Sequence, residues 1–262
     1  MDKNNEIPSW ELEPSQEFGT DIRNLYNYFN QFKNCITFNS SLPQLFDVLN
    51  EAASLIDTEV DSLDRDSAQT TADFAQIELE NDFSFIHGQW SILLYTNLEP
   101  LVKKLIINNI IHTDFEGLDI FKKIKLEKFS DLSLPMRYDS IYRHYEFKVS
   151  RGKDYGIKRF EAILRPFGYD WESRDITCEK INELAQVRNL LLHRNGIVDN
   201  VFIDKCPGLK FSYREKINVS HAMYLSYFKA ITDYAVCLRH KIRERNGENI
   251  ELIKNEYEKN FI

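Results

Sequence analysis

A chain of 262 residues with 43% hydrophobic and 13% aromatic side chains can bury a substantial core, which excludes wholesale disorder and fits one large domain or a smaller one with an embellishment. The formal net charge of −8 is unevenly spread: residues 1–82 hold 4 basic and 17 acidic side chains, and the remainder holds 29 and 24. A phosphate-binding surface therefore stays open to the mildly positive C-terminal part, where counterion release contributes to affinity.

The opening stretch, MDKNNEIPSWELEPSQ, lacks the apolar core of a signal peptide. Cys35, Cys178, Cys206 and Cys237 lie far apart, with no Cys-x-x-Cys pair and no His at zinc spacing. Reduced thiols in a cytoplasm, no metal and no cofactor are the expectation. Over residues 20–36 the helical repeat places Ile22, Leu25, Tyr26, Phe29 and Phe32 on one stripe. Over 42–56 it does the same with Leu45, Val48, Leu49 and Ala52. Both helices call for a partner surface. The Asp/Ser/Thr-rich run DTEVDSLDRDSAQTTADF then reads as a solvated connector or an exposed helix start, and marks a candidate boundary.

From about Phe83 to Ile111 the pattern predicts a long helical region that Pro100 kinks or breaks. Asn97, Glu99, Lys103 and Lys104 interrupt its apolar run, so no membrane span is expected. Pro135 suits the first turn of the next helix, and IKRFEAILRPFGYD reads as a short helix stopped by Pro166 and Gly168. Between 137 and 165 eight basic residues stand against four acids, interleaved with Tyr138, Tyr142, Tyr145, Tyr155 and Phe160. Such a mixture fits single-stranded RNA held by charge and stacking, with Arg143, Lys148, Arg151 and Lys153 as candidate contacts. It equally fits tyrosines at helical spacing that belong to a core. No Gly-rich phosphate loop occurs anywhere, which counts against P-loop, kinase and dinucleotide folds. The reading is all-α, with one short extended piece at 197–204.

The stretch AQVRNLLLHRNG, residues 185–196, closes a predicted helix capped at Asp175 or Thr177, with an apolar face of Ile181, Leu184, Leu191 and Leu192. Gly196 suits a left-handed closing position. At about 100° per residue Asn189 and His193 lie side by side, and Arg188 is long enough to reach the same spot. An imidazole moves protons near neutral pH, a guanidinium grips two phosphate oxygens and an amide orients either group, so the trio suits phosphodiester chemistry. The macrodipole alone also favours cations such as Arg188, His193 and Arg194 in a last turn. Arg137 and His144 show similar spacing without that context. Glu99 reads as a carboxylate lent to the site or as a solvated helix charge, and His87, His112, His144, His221 and His240 read as surface or core residues.

The segment INELAQVRNLLLHRNGIVD resembles the Arg-x4-6-His signature of HEPN domains, α-helical domains named for higher eukaryotes and prokaryotes nucleotide-binding. The resemblance is specific over about 175–200 and looser over 83–245. It implies a HEPN-like helical domain at 83–262, preceded by an acidic helical region at 1–82 that it does not cover. It further implies a metal-independent endoribonuclease, a toxin or antiviral-defence effector, with catalytic Arg188, Asn189 and His193 and with Arg194 beside them on RNA. Implied partners are RNA, a second copy in a two-fold homodimer that brings both motifs to one phosphate, and a cognate antitoxin or defence-system protein. A catalytically inactive scaffold and an RNA- or nucleotide-binding regulatory module are the alternatives. Asn195 stands where family toxins silenced by nucleotidyl transfer often carry tyrosine.

Overall fold

The computed structural model describes residues 7–55, 62–151, 156–169 and 175–248. Among them the architecture is all-α: α1 (Ser9–Asn39), α2 (Leu42–Leu55), α3 (Ser62–Glu80), α4 (Ser84–His112), α5 (Leu134–Ser150), α6 (Ile157–Leu164), α7 (Asp175–Arg194), α8 (Asn200–Lys205) and α9 (His221–Arg245). Three short 3-10 turns fill 115–129. No helix among the described residues is long and apolar enough to cross a membrane.

Helix α4 is the axis of the fold because its apolar residues occupy more than one stripe. Leu94, Leu98, Val102, Leu105 and Ile106 are fully enclosed, and α1, α5, α6, α7 and α9 all pack on it. Pro100 does not interrupt α4. Its ring and Thr96, whose carbonyl loses a helical partner, both lie on the exposed side, where solvent replaces the missing N–H.

Helix α1 runs antiparallel to α4. The Trp10 carbonyl accepts from Asn108, Lys104 pairs with Glu17, and the Trp90 indole donates to the Leu25 carbonyl at 3.0 Å. Of the predicted α1 stripe, Ile22, Leu25 and Phe29 are buried, while Tyr26 and Phe32 remain largely exposed. The acidic N-terminal segment thus supplies Phe18, Ile22, Leu25 and Phe29 to the same hydrophobic cluster as α4, α7 and α9. Full burial of each such side chain is worth about 1.5–3 kcal/mol.

The expectation for α2 turns around. Leu45, Val48, Leu49 and Ala52 face solvent, and the half-buried positions are Leu42, Pro43, Phe46, Asn50 and Ala53. The helix packs on α3, which offers Ala68, Ala72 and Ala75 as its buried residues. Much of the Asp/Ser/Thr-rich run is helical, since α3 begins at Ser62.

The extended piece is shorter than expected. Gly196 to Val198 pairs with 214–217 through an Ile197–Lys216 bridge, and α8 begins at Asn200. The Asp199 carboxylate accepts from the Phe202 amide at 2.9 Å and caps α8, so a turn of helix replaces the strand.

A buried polar cluster at one end of the bundle ties the start of α1 to the ends of α4 and α9. Glu11, only 2% exposed, accepts from Tyr169 Oη (2.6 Å), Arg245 Nη1 (3.2 Å) and Asn246 Nδ2 (2.9 Å). Asn109 donates to Tyr169 Oη at 2.8 Å and accepts from Arg245 at 3.1 Å. The Arg245 guanidinium lies 4.9 Å from the Tyr169 ring centroid. Burial, then the hydrogen bond to Glu11, push the Tyr169 phenol well above its ordinary range.

Candidate active site at the tip of α7

Helix α7 is buried along Ile181, Leu184, Ala185, Val187 and Leu190, which press on α4 and α9. It runs antiparallel to α4, so its C-terminal end lies beside the start of that helix, with Leu191 against Gly88. Leu191 is half-buried, but Leu192, expected in the apolar face, is exposed. The end of the helix is sharp. Asn195 (φ 52°) and Gly196 (φ 74°) are both left-handed, and the Gly196 amide returns to the Leu190 carbonyl at 3.1 Å.

An open groove of about 320 Å³ lies between the last turns of α7 and helix α8. Arg188, Asn189 and His193 all line it, together with Arg194, Lys205 and Asp199. The His193 imidazole is exposed at its rim. Arg188 is half-buried, its guanidinium 5.9 Å from the Tyr95 ring centroid and its Nη1 donating to Asn189 Oδ1 at 3.1 Å. Its Nε is enclosed without a hydrogen-bond partner. Asn189 therefore holds the arginine rather than the histidine. The second wall comes from Val201, Phe202 and Lys205 of α8, and Asp199 at the corner stands 3.6 Å from the Arg194 guanidinium.

Three cationic side chains, an imidazole and one carboxylate give the groove a positive balance suited to a phosphodiester. Tyr95 serves as a platform rather than a proton donor: burial, and then Glu99, push its phenol up to about 12 against the opposing Arg159 and Arg188. Glu99 lies outside the groove lining, its carboxylate 3.4 Å from Arg159, which also bonds Glu146 at 2.5 Å. No group of three or more His, Cys, Asp or Glu side chains is placed to hold a metal ion among the described residues.

The basic-aromatic segment separates from this groove. Tyr142, Tyr145 and Phe160 are core residues, Tyr145 donating to the Ile163 carbonyl and stacking on Phe121. They offer no face to a base, though Phe147 on the same helix is exposed. Arg143 pairs with Asp139 at 2.7 Å, Lys148 donates to the Lys123 carbonyl, and Arg151 is exposed. None of the three lines the α7 groove, and Lys153 and Tyr155 lie outside the described residues.

Three contributors escaped sequence reasoning: Tyr95, because it is 93 positions from Arg188 in no shared motif, and Lys205 and Asp199, because 197–204 read as extended. The aspartate before Asn-Val-Phe was a usable capping signal for α8.

Elsewhere, His87 is fully buried among Phe29, Phe83 and Tyr224, and its Nε2 meets His221 Nδ1 at 3.1 Å. Burial first, then His221 and Lys33, push His87 down to about 4. This pair belongs to the core at the start of α9.

No protein-family model, curated protein or solved structure matches the chain.

Proposed function

We propose that the chain is a metal-independent endoribonuclease of the HEPN type, acting as a toxin or antiviral-defence effector in a cytoplasm. The observation that carries this reading is the convergence of Arg188, Asn189 and His193 on one open, cationic groove. The sequence motif supports it, as does the way Tyr95 and Asn189 hold the guanidinium. Of the five N–H donors of an arginine, Asn189 engages one on Nη1 and the Nε is enclosed, so a phosphate is met by the Nη groups.

In the proposed reaction a general base removes the proton from an RNA 2′-OH, whose oxygen attacks the adjacent phosphorus. The bond to the 5′-oxygen breaks, and a general acid protonates the departing oxygen. Products are a 2′,3′-cyclic phosphate and a 5′-hydroxyl. Two histidines divide these proton transfers when a two-fold homodimer sets His193 beside its symmetry mate, and Arg188 from each protomer stabilises charge on the phosphorane-like transition state. Arg194 and Lys205 extend the phosphate track.

The test is incubation of the purified chain with single-stranded RNA and DNA oligonucleotides in EDTA. Cleavage of RNA alone, with cyclic-phosphate ends, is expected. RNA left intact across salts and substrates overturns the nuclease, and RNA bound but uncut indicates a regulatory binding module. One observation favours the alternative of a catalytically inactive scaffold: α2 presents an apolar face that no part of the described chain covers.

A further inference from the structure

Helix α2 divides into three sectors. Leu42, Phe46 and Ala53 turn inward and are half-buried, with α3 as the packing partner. Asp47 and Glu51 form a polar edge about 40° wide, one turn apart. The remaining sector carries Leu45, Val48, Leu49, Ala52 and Leu55 at the i, i+3, i+4, i+7 and i+10 positions of one stripe, all exposed to solvent. Val48 is 62% exposed and Leu55 83%. Single apolar residues on a surface need no explanation, but a stripe along a whole 14-residue helix with no buried residue does.

We propose that this face docks an amphipathic helix of a partner protein whose apolar stripe is flanked by lysine or arginine. Charge selects the occupant. The α2 helix holds two acids and no base: Asp47 is paired with Arg65 by hydrogen bonds to Oδ1 at 3.1 and 3.0 Å, and Glu51 is the exposed acid that a partner's cation meets. Its packing partner α3 adds five acids against one base, Arg65. A second copy of the chain would set two such surfaces against each other, and an anionic membrane would be repelled by the same excess. A basic amphipathic helix satisfies both features, laying i, i+3, i+4, i+7 anchors on the Leu45–Leu55 stripe and cations beside Glu51. The inference does not depend on the nuclease reading, because α2 contributes nothing to the α7 groove.

The experiment titrates the full chain into two fluorescent 18-residue peptides of identical amphipathic pattern, one of leucine and lysine and one of leucine and glutamate, followed by anisotropy. Hydrogen exchange locates the contact. The lysine peptide is expected to bind, with protection over 42–55, and the glutamate peptide is not. Val48→Asp and Leu49→Glu lie at exposed positions and should each weaken binding at least tenfold with unchanged circular dichroism. Glu51→Lys, which leaves the apolar stripe intact, should weaken it less. The proposal fails if the lysine peptide protects other segments and is indifferent to these variants. It fails equally if the chain alone forms a dimer that Val48→Asp dissociates, or if vesicles of anionic lipid, and not the lysine peptide, occupy the stripe.

Discussion

The groove at the end of α7 and the cluster around Glu11 are both polar, both contain an arginine and an asparagine, and lie roughly 20 Å apart along α4, measured from Tyr95 to Asn109. They differ in how their hydrogen bonds close. Around Glu11 both carboxylate oxygens accept from protein donors, and the arginine is shared between Glu11 and Asn109. At the α7 tip Arg188 has one side-chain partner, His193 is exposed, and the surrounding cations face a single carboxylate, Asp199. A closed network serves the fold, since breaking it strands a buried charge; an open one has capacity left for a ligand.

Four measurements break or sharpen that contrast. On the nuclease reading, His193→Ala should lower RNA cleavage by about 10²–10⁴-fold, and Arg188→Ala comparably, with the urea midpoint unchanged. A parallel loss of stability would place the α7 tip with the structural clusters. Glu11→Ala should do the reverse, destabilising the fold by about 1–3 kcal/mol in urea unfolding because the Tyr169 hydroxyl and the Asn246 amide lose their acceptor, while Arg245, a third exposed, keeps access to solvent. Cleavage per folded molecule should not change.

The third concerns His87, held near 4 in the fold against an ordinary 6.5. Between those values the unfolded chain binds more protons than the folded one, so this contribution to stability is full above about pH 6.5 and drains away as pH falls toward 4. His87→Gln should flatten that limb in urea titrations at pH 7, 6 and 5; an unaltered slope would show that another group carries it. The smallest effect is expected for Gly196→Ala, where a side chain in the left-handed region costs about 1–2 kcal/mol, read as a lowered thermal midpoint. Because Gly196 sets the end of α7, some loss of cleavage should accompany it.

Legibility followed sequence distance. Arg188, Asn189 and His193 are spaced for one face of one helix, and backbone geometry alone places them together at its end. Tyr95 beside the Arg188 guanidinium and Lys205 in the groove wall come from other helices, and nothing local marks them. The cluster joins Glu11 to residues 98 to 235 positions away in no pattern: Glu11 looks like a solvated helix charge, and Tyr169 follows a helix stop. The tyrosines of 137–165 carried both a stacking and a core reading, and burial separates them. In α2 the period was right and the side was wrong, since two apolar sectors satisfy the same spacing and only packing on α3 chooses between them.

Helical periodicity, proline placement and glycine at 196 were enough to specify an all-α chain and to bring a cation, an amide and an imidazole to one helix end, because these depend on dihedral preferences and a 3.6-residue repeat. Which stripe turns inward, that Pro100 leaves α4 unbroken, that 200–205 is helical, and which buried charges meet partners depend on what lies across the interface. Burial and the pairing of polar groups are settled between segments, and a single strand of sequence does not contain its neighbours.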